Sequence, residues 1–145
     1  MAENTQTQQK AGTVKNAPLL WATGRRKTAV ARLWVRNGTG KIVINKKDID
    51  GYFAGNTWCK IKVLEPVKLV PETSGYDFFV NVSGGGLTGQ AEAIRHAMSR
   101  ALSKINETWR PKLKAAGFLR RDPRMVERKK PGQPKARKKF QWTKR

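Results

Sequence analysis

The sequence predicts an α+β fold: a small β-sheet with helices packed on it, followed by a long, extended, basic C-terminal tail. Three observations carry this reading. Hydrophobic residues alternate with period two from Thr28 to Arg36, recur at helical spacing from Ala91 to Ile105, and lose all apolar period beyond Arg120, where basic residues crowd together. The expected organisation is a flexible lead-in over 1–20, a globular domain over 21–119 and the tail over 120–145.

The lead-in MAENTQTQQKAGTVKNAPLL is polar and has neither the basic-then-apolar pattern of a secretory signal nor the Arg/Ser richness of a transit peptide, so it reads as disordered. From Thr28 the residues Ala29, Ala31, Leu33 and Val35 make one apolar face, which points a strand's odd positions at a core. RNGTGK then supplies turn residues and KIVIN a second strand, so Arg25 to Asn45 is expected to be a β-hairpin reversed at Asn37-Gly38. KKDIDGYFAG and TWCKIKVLEPVKLV read as two short helical or irregular segments, with Ile49, Tyr52 and Phe53 inward and Pro66 interrupting the second. YDFFVNV resumes as a strand with Phe78, Val80 and Val82 on one side, ended by Gly84 to Gly86.

The strongest helix follows, with Ala91, Ile94, Met98, Ala101, Leu102 and Ile105 on one face, His96, Arg100 and Lys104 on the other, and Thr88 as the N-cap. RPKLKAAGFL is a further short helix with Pro111 in its first turn and Gly117 at its end.

Charge narrows the partner class. The chain has 31 Lys and Arg against 10 Asp and Glu, a formal net charge of +21. Residues 1–45 hold 8 basic and 1 acidic, 46–119 hold 11 and 7, and 120–145 hold 12 and 2. A surplus of that size repels itself unless a polyanion neutralises it, which points to nucleic acid. No run approaches the roughly 18 apolar residues of a bilayer span, so no membrane partner is expected. Cys59 and His96 are the only residues of their kinds, which excludes an internal disulfide and a zinc knuckle; Cys59 reads as inert packing in a reducing compartment.

Gly84, Gly86 and Gly89 in VNVSGGGLTGQAEAI have the G-x-G-x-x-G spacing of a dinucleotide-binding turn. That fingerprint needs a second parallel strand about twenty residues on, ending in an acid that holds the ribose. Only Glu107 in a turn, a short helix and the basic tail follow, and no Lys-Ser or Lys-Thr pair makes a P-loop. The sequence therefore predicts no cofactor, no small-molecule substrate and no enzyme. Gly84, Gly85 and Gly86 serve a sharp strand-to-helix turn, and their bare backbone N–H groups are compatible with an RNA phosphate.

Phosphate contacts are expected from Arg25, Arg26 and Lys27 before the alternating strand, from Arg32 and Arg36 flanking Trp34 on its non-core face, and from Arg100. Arg121, Arg124 and Arg128 surround Asp122 and Glu127, so salt bridges that shape the junction compete with RNA contacts there. Arg128, Lys129, Lys130, Lys135, Arg137, Lys138, Lys139, Lys144 and Arg145 give the last eighteen residues nine cations and no acid. Pro131, Gly132 and Pro134 oppose a helix, and extended residues in that number reach up to roughly 60 Å. Phe140 and Trp142 suit stacking on bases or sugars, and equally suit filling gaps in a ribonucleoprotein interior.

GRRKTAVARLWVR, GTGKIVIN, VNVSGGGLTGQAEAIRHAMSRAL, RDPRMVERKKPG and KARKKFQWTKR, in that order over Gly24 to Arg145, closely resemble the family of the bacterial-type ninth protein of the small ribosomal subunit. The resemblance implies a ribosomal S-five second-domain-like fold with a left-handed β-α-β crossover, seated on the subunit head beside neighbouring head proteins in a cytoplasmic ribosome, with an organellar ribosome as the alternative. The partners it implies are 16S-type rRNA and P-site tRNA, whose anticodon stem-loop would meet Lys144 and Arg145. Arg120, Pro131, Trp142 and Thr143 depart from the usual family residues while leaving the basic and aromatic character intact. Two other readings compete: a nucleotide-dependent enzyme built on the glycine turn, and a general nucleic-acid binder outside the ribosome.

Overall fold

The computed structural model describes residues 18–142 and 144, as an α+β domain with a mixed five-stranded sheet. Strands β1 (Leu20–Arg26), β2 (Ala29–Asn37), β3 (Ile42–Ile44), β4 (Lys47–Asp48) and β5 (Tyr76–Ser83) lie in the order β1-β2-β5-β3-β4. Helices α1 (Ile49–Tyr52) and α2 (Thr57–Leu69) precede β5, and α3 (Leu87–Ile105) and α4 (Arg110–Ala115) follow it.

Alternation places β2 as expected: Ala29, Ala31, Leu33 and Val35 are all buried, as are Phe78, Val80 and Val82 of β5. Against this face lies α3, which buries Ala91, Ile94, Met98, Ala101 and Leu102. Phe53 is fully buried, with Ile49 and Tyr52 packed half-buried against the same core.

The expected hairpin from Arg25 to Asn45 does not form. The chain does reverse after Asn37-Gly38, but through a wider loop that passes the end of β5 and leaves room for that strand, tied down by Gly38 N–H donating to the Gly75 carbonyl at 2.8 Å. Asp77 accepts from the N–H groups of Thr39 and Lys41 at 2.8 and 2.9 Å. β5 thereby sits between β2 and β3, antiparallel to the first and parallel to the second. Two tight hairpins stand where the sequence signalled none. β1 pairs with β2 through Lys27-Thr28, where Lys27 alone has positive φ, and β3 with β4 through Asn45-Lys46, where both residues have the positive φ that a type I′ turn demands.

β1 also moves the lead-in boundary, because Leu20 is already paired with Val35. Close approach makes this possible: a Cβ on Gly24 would lie 2.0 Å from the Ala93 carbonyl oxygen and 2.4 Å from the Ala97 nitrogen, so only glycine lets β1 meet α3.

Two helix details also differ from expectation. α2 runs unbroken past Pro66, whose ring is buried with Cys59 and Val63; near the helix end the loss of one N–H is outweighed by packing. Asn56, whose side chain accepts from Cys59 N–H, caps its start. The N-cap of α3 is Gly86 with no side-chain cap, while Thr88 lies inside the first turn. Gln90 instead fixes the preceding loop, its side-chain amide donating to the Gly84 carbonyl at 3.1 Å, and leaves the first-turn N–H groups uncapped. α4 ends as the sequence predicts, at Gly117 with φ 75°. Gly117 and Phe118 donate to the Lys114 and Leu113 carbonyls, the paired bonds of a Schellman motif. Beyond Arg120 the described tail contains no helix or strand.

Candidate nucleic-acid interface

Residues separated in sequence meet at the β1–β2 turn. Gly84 and Gly85 adopt φ of 75° and 64°, and a Cβ on Gly84 would lie 2.6 Å from the Thr28 carbonyl oxygen. The glycine loop is thus pressed on the basic hairpin tip, which brings Lys27 and the start of α3 to one edge of the domain. Arg25 and Lys27 are exposed there, as are Gly84, Gly85 and Gly86. The uncapped first turn of α3 adds unsatisfied N–H groups and the positive end of the helix dipole.

Arg26 has a different fate. Its side chain, 9% exposed, pairs with Glu92 of α3 and at 2.9 Å with Asp122. It also donates to the Arg124 carbonyl at 2.9 Å. The expectation of a phosphate contact from Arg26 is therefore revised: its donors are held by protein acceptors, and it ties hairpin, helix and tail root together. Arg124 closes the same knot by bonding both Asp122 carboxylate oxygens. That hydrogen bonding holds the Asp122 carboxyl far below the usual carboxylate range. The salt-bridge alternative thus describes Arg124, while Arg121 and Arg128 are exposed.

Arg100 reaches the edge strand, donating to the Thr23 carbonyl and, at 3.2 Å, to its hydroxyl. Beside it His96 Nδ1 accepts from Arg25 N–H at 3.4 Å. Burial, then the nearby Arg100 charge, pushes the His96 imidazole below its ordinary pKa and favours the neutral acceptor. Lys104 is exposed. Both groups on this edge therefore have protein work, a role the amphipathic pattern of α3 could not reveal because β1 was not legible.

Arg32 is exposed and Arg36 half-buried on the sheet face away from α3. In the tail Glu127 accepts from Arg137 at 2.8 Å and lies 3.7 Å from Lys130, both at the surface. Arg128, Lys129, Lys135, Lys138, Lys139 and Lys144 are exposed with no salt bridge among the described residues, and Phe140 and Trp142 are 73% and 80% exposed. Arg145, the other residue expected at tRNA, lies outside the described residues. No described helix is long and apolar enough to cross a membrane, and no three His, Cys, Asp or Glu among the described residues gather as metal ligands.

A small α+β domain trailing an acid-poor basic segment is the physical description of a polyanion-binding protein. Comparison with known proteins specifies the kind. The family model described as ribosomal protein S9/S16 matches residues 24–145. The small ribosomal subunit protein uS9 of Bacteroides fragilis is 53% identical over 124 residues, covering 86% of this chain and 96% of its own. The uS9 of Anaeromyxobacter sp. strain K is 56% identical over 122 residues (84% and 93%), and that of Porphyromonas gingivalis 52% over 124 (86% and 96%). The chain belongs to the ribosomal protein S9/S16 family, as a bacterial-type small-subunit ribosomal protein that takes part in translation.

Proposed function

We propose that this protein is an architectural component of the subunit head, binding 16S-type rRNA beside neighbouring head proteins and reaching the anticodon stem-loop of P-site tRNA with Lys144 and Arg145. The observation that carries the reading is the tail: nine cations without an acid over residues 128–145. Such a segment gains its binding free energy by releasing counterions condensed on phosphates.

In this reading the exposed Arg25, Lys27 and Gly84 to Gly86 meet phosphate at the hairpin edge, with Arg32, Arg36 and Arg121 as further contacts. Arg128, Lys129, Lys130, Lys135, Arg137, Lys138 and Lys139 follow the RNA backbone. Glu127 gives up Lys130 and Arg137 when phosphate replaces it, an exchange that exposed pairs permit at little cost. The tail is ordered by RNA, and the β3-to-β5 connection is the left-handed crossover that the family resemblance implies.

Deletion of Gln141 to Arg145 tests the tRNA contact. Subunits carrying the shortened chain are expected to assemble and to hold P-site tRNA more weakly in filter binding. Unchanged tRNA affinity would remove the terminal residues from that role.

A further inference from the structure

The sheet face turned away from α3 carries an aromatic row that no described element covers. The register sets Trp21 opposite Trp34, Trp34 opposite Phe79, and Phe79 opposite Val43, so the row crosses four strands. The rings of Trp21 and Trp34 are 6.1 Å apart with their planes inclined by 35°, and Trp21 is 65% exposed. Alternation buries the inward residues and accounts for the other face; it gives no reason for two tryptophans on this one.

Two hollows flank Trp34 and share both it and Asn81. One, about 330 Å³, adds Trp21, Arg32 and Ser83; the other, about 240 Å³, adds Phe79, Arg36 and Lys46. Each combines an aromatic wall with a cation. Arg36 stacks 5.1 Å above the Phe79 ring, and its buried Nε has no acceptor among the described residues. Two acids share this face: Asp77 lies opposite Arg36 in the register without an ion pair to it and is occupied by the Thr39 and Lys41 N–H groups, which hold its carboxyl below the usual range, and Asp48 lies opposite Val43 on the short edge strand.

Aromatic planes bordered by arginine and lysine fit one ligand chemistry better than others. Unpaired nucleotides offer π-faces to the rings and phosphates to the cations, whereas a duplex keeps its bases stacked inside. We propose that this sheet face binds two successive unpaired RNA nucleotides, one base on each side of Trp34, with phosphates at Arg32 on one side and at Arg36 and Lys46 on the other. The inference rests on the RNA-binding reading above and adds a single-strand platform to the phosphate-tracking tail.

The test uses the full chain with its tail intact, titrated with a short oligouridine and with duplex RNA of equal length. Trp21→Ala, at a solvent-facing position, and Trp34→Ala should each weaken oligouridine binding about tenfold, leaving duplex affinity and the salt slope unchanged. Trp34→Phe should keep most of the affinity, which separates stacking from a folding defect. Equal oligouridine affinity for both alanine variants, with salt-dependent binding still present, would overturn the platform and leave the tail reading standing. Loss of RNA binding by the unaltered chain would sink both. A photocrosslinker at position 21 in assembled subunits should capture rRNA; capture of a protein instead would overturn the assignment.

Discussion

Arg26 and the arginines and lysines past Glu127 are chemically alike and structurally opposite. Around Arg26 the fold gathers Glu92, Asp122 and a backbone carbonyl, so its charge is cancelled inside the protein. Past Glu127 no acid remains in the sequence, and the described cations lie at the surface. What a basic residue does here is decided by the acids that folding brings near it. Where they are supplied, arginine becomes an internal joint; where they are withheld, it keeps its charge for an outside partner.

Ending the chain at Glu127 should break the comparison most severely. Affinity for small-subunit rRNA should fall by orders of magnitude at low salt, while the domain's melting temperature in the absence of RNA stays within a degree or two, because the described residues past Glu127 are mostly exposed and none is buried. Calorimetry and filter binding on the same preparation would check both halves.

Arg26→Met attacks the other side. Removing the shared donor leaves Glu92 and the Arg124 carbonyl without their partner and is expected to destabilise the domain by about 2–3 kcal/mol in urea unfolding, with the tail's salt dependence preserved. Gly24→Ala should cost a comparable ~1–3 kcal/mol, because its Cβ would strike the α3 backbone. A stability change in the tail truncation equal to either would erase the distinction between the two regions.

The pH response should be smallest. His96 has a folded-state pKa below its ordinary value, so as pH falls past about 6.5 the unfolded chain takes up the proton first. Stability should therefore fall as pH drops below about 6.5 and level off once the folded His96 is protonated as well, and His96→Gln should flatten the slope measured by thermal melting.

Local patterns survived into the structure, and long-range pairings did not. The inward faces of β2, β5 and α3 were legible because their periods are set by neighbouring residues, and the Gly117 stop because a C-cap is a local geometry. β1 was missed because LWATGRR alternates small and charged residues with no apolar stripe; its inward positions are Ala22, Gly24 and Arg26. Asn37-Gly38 looked like a tight hairpin because nothing in that stretch announces that Asp77, forty residues on, will bind the loop and that β5 will part the two strands. In the candidate interface, charge marked the basic cluster, but only the fold could separate Arg26 and Arg100, held by protein oxygens, from exposed Arg25 and Lys27. The pairing of Trp21 with Trp34 and Phe79 needed the true strand order, since two of those three strands were not expected to be neighbours.

The most direct measurement is the salt dependence of rRNA binding by the full chain and by the chain ending at Glu127. If the seven tail cations from Arg128 to Lys139 each neutralise an rRNA phosphate, the slope of log affinity against log salt should differ between the two by about five to six. Equal slopes would mean that the tail's charge is not what RNA completes.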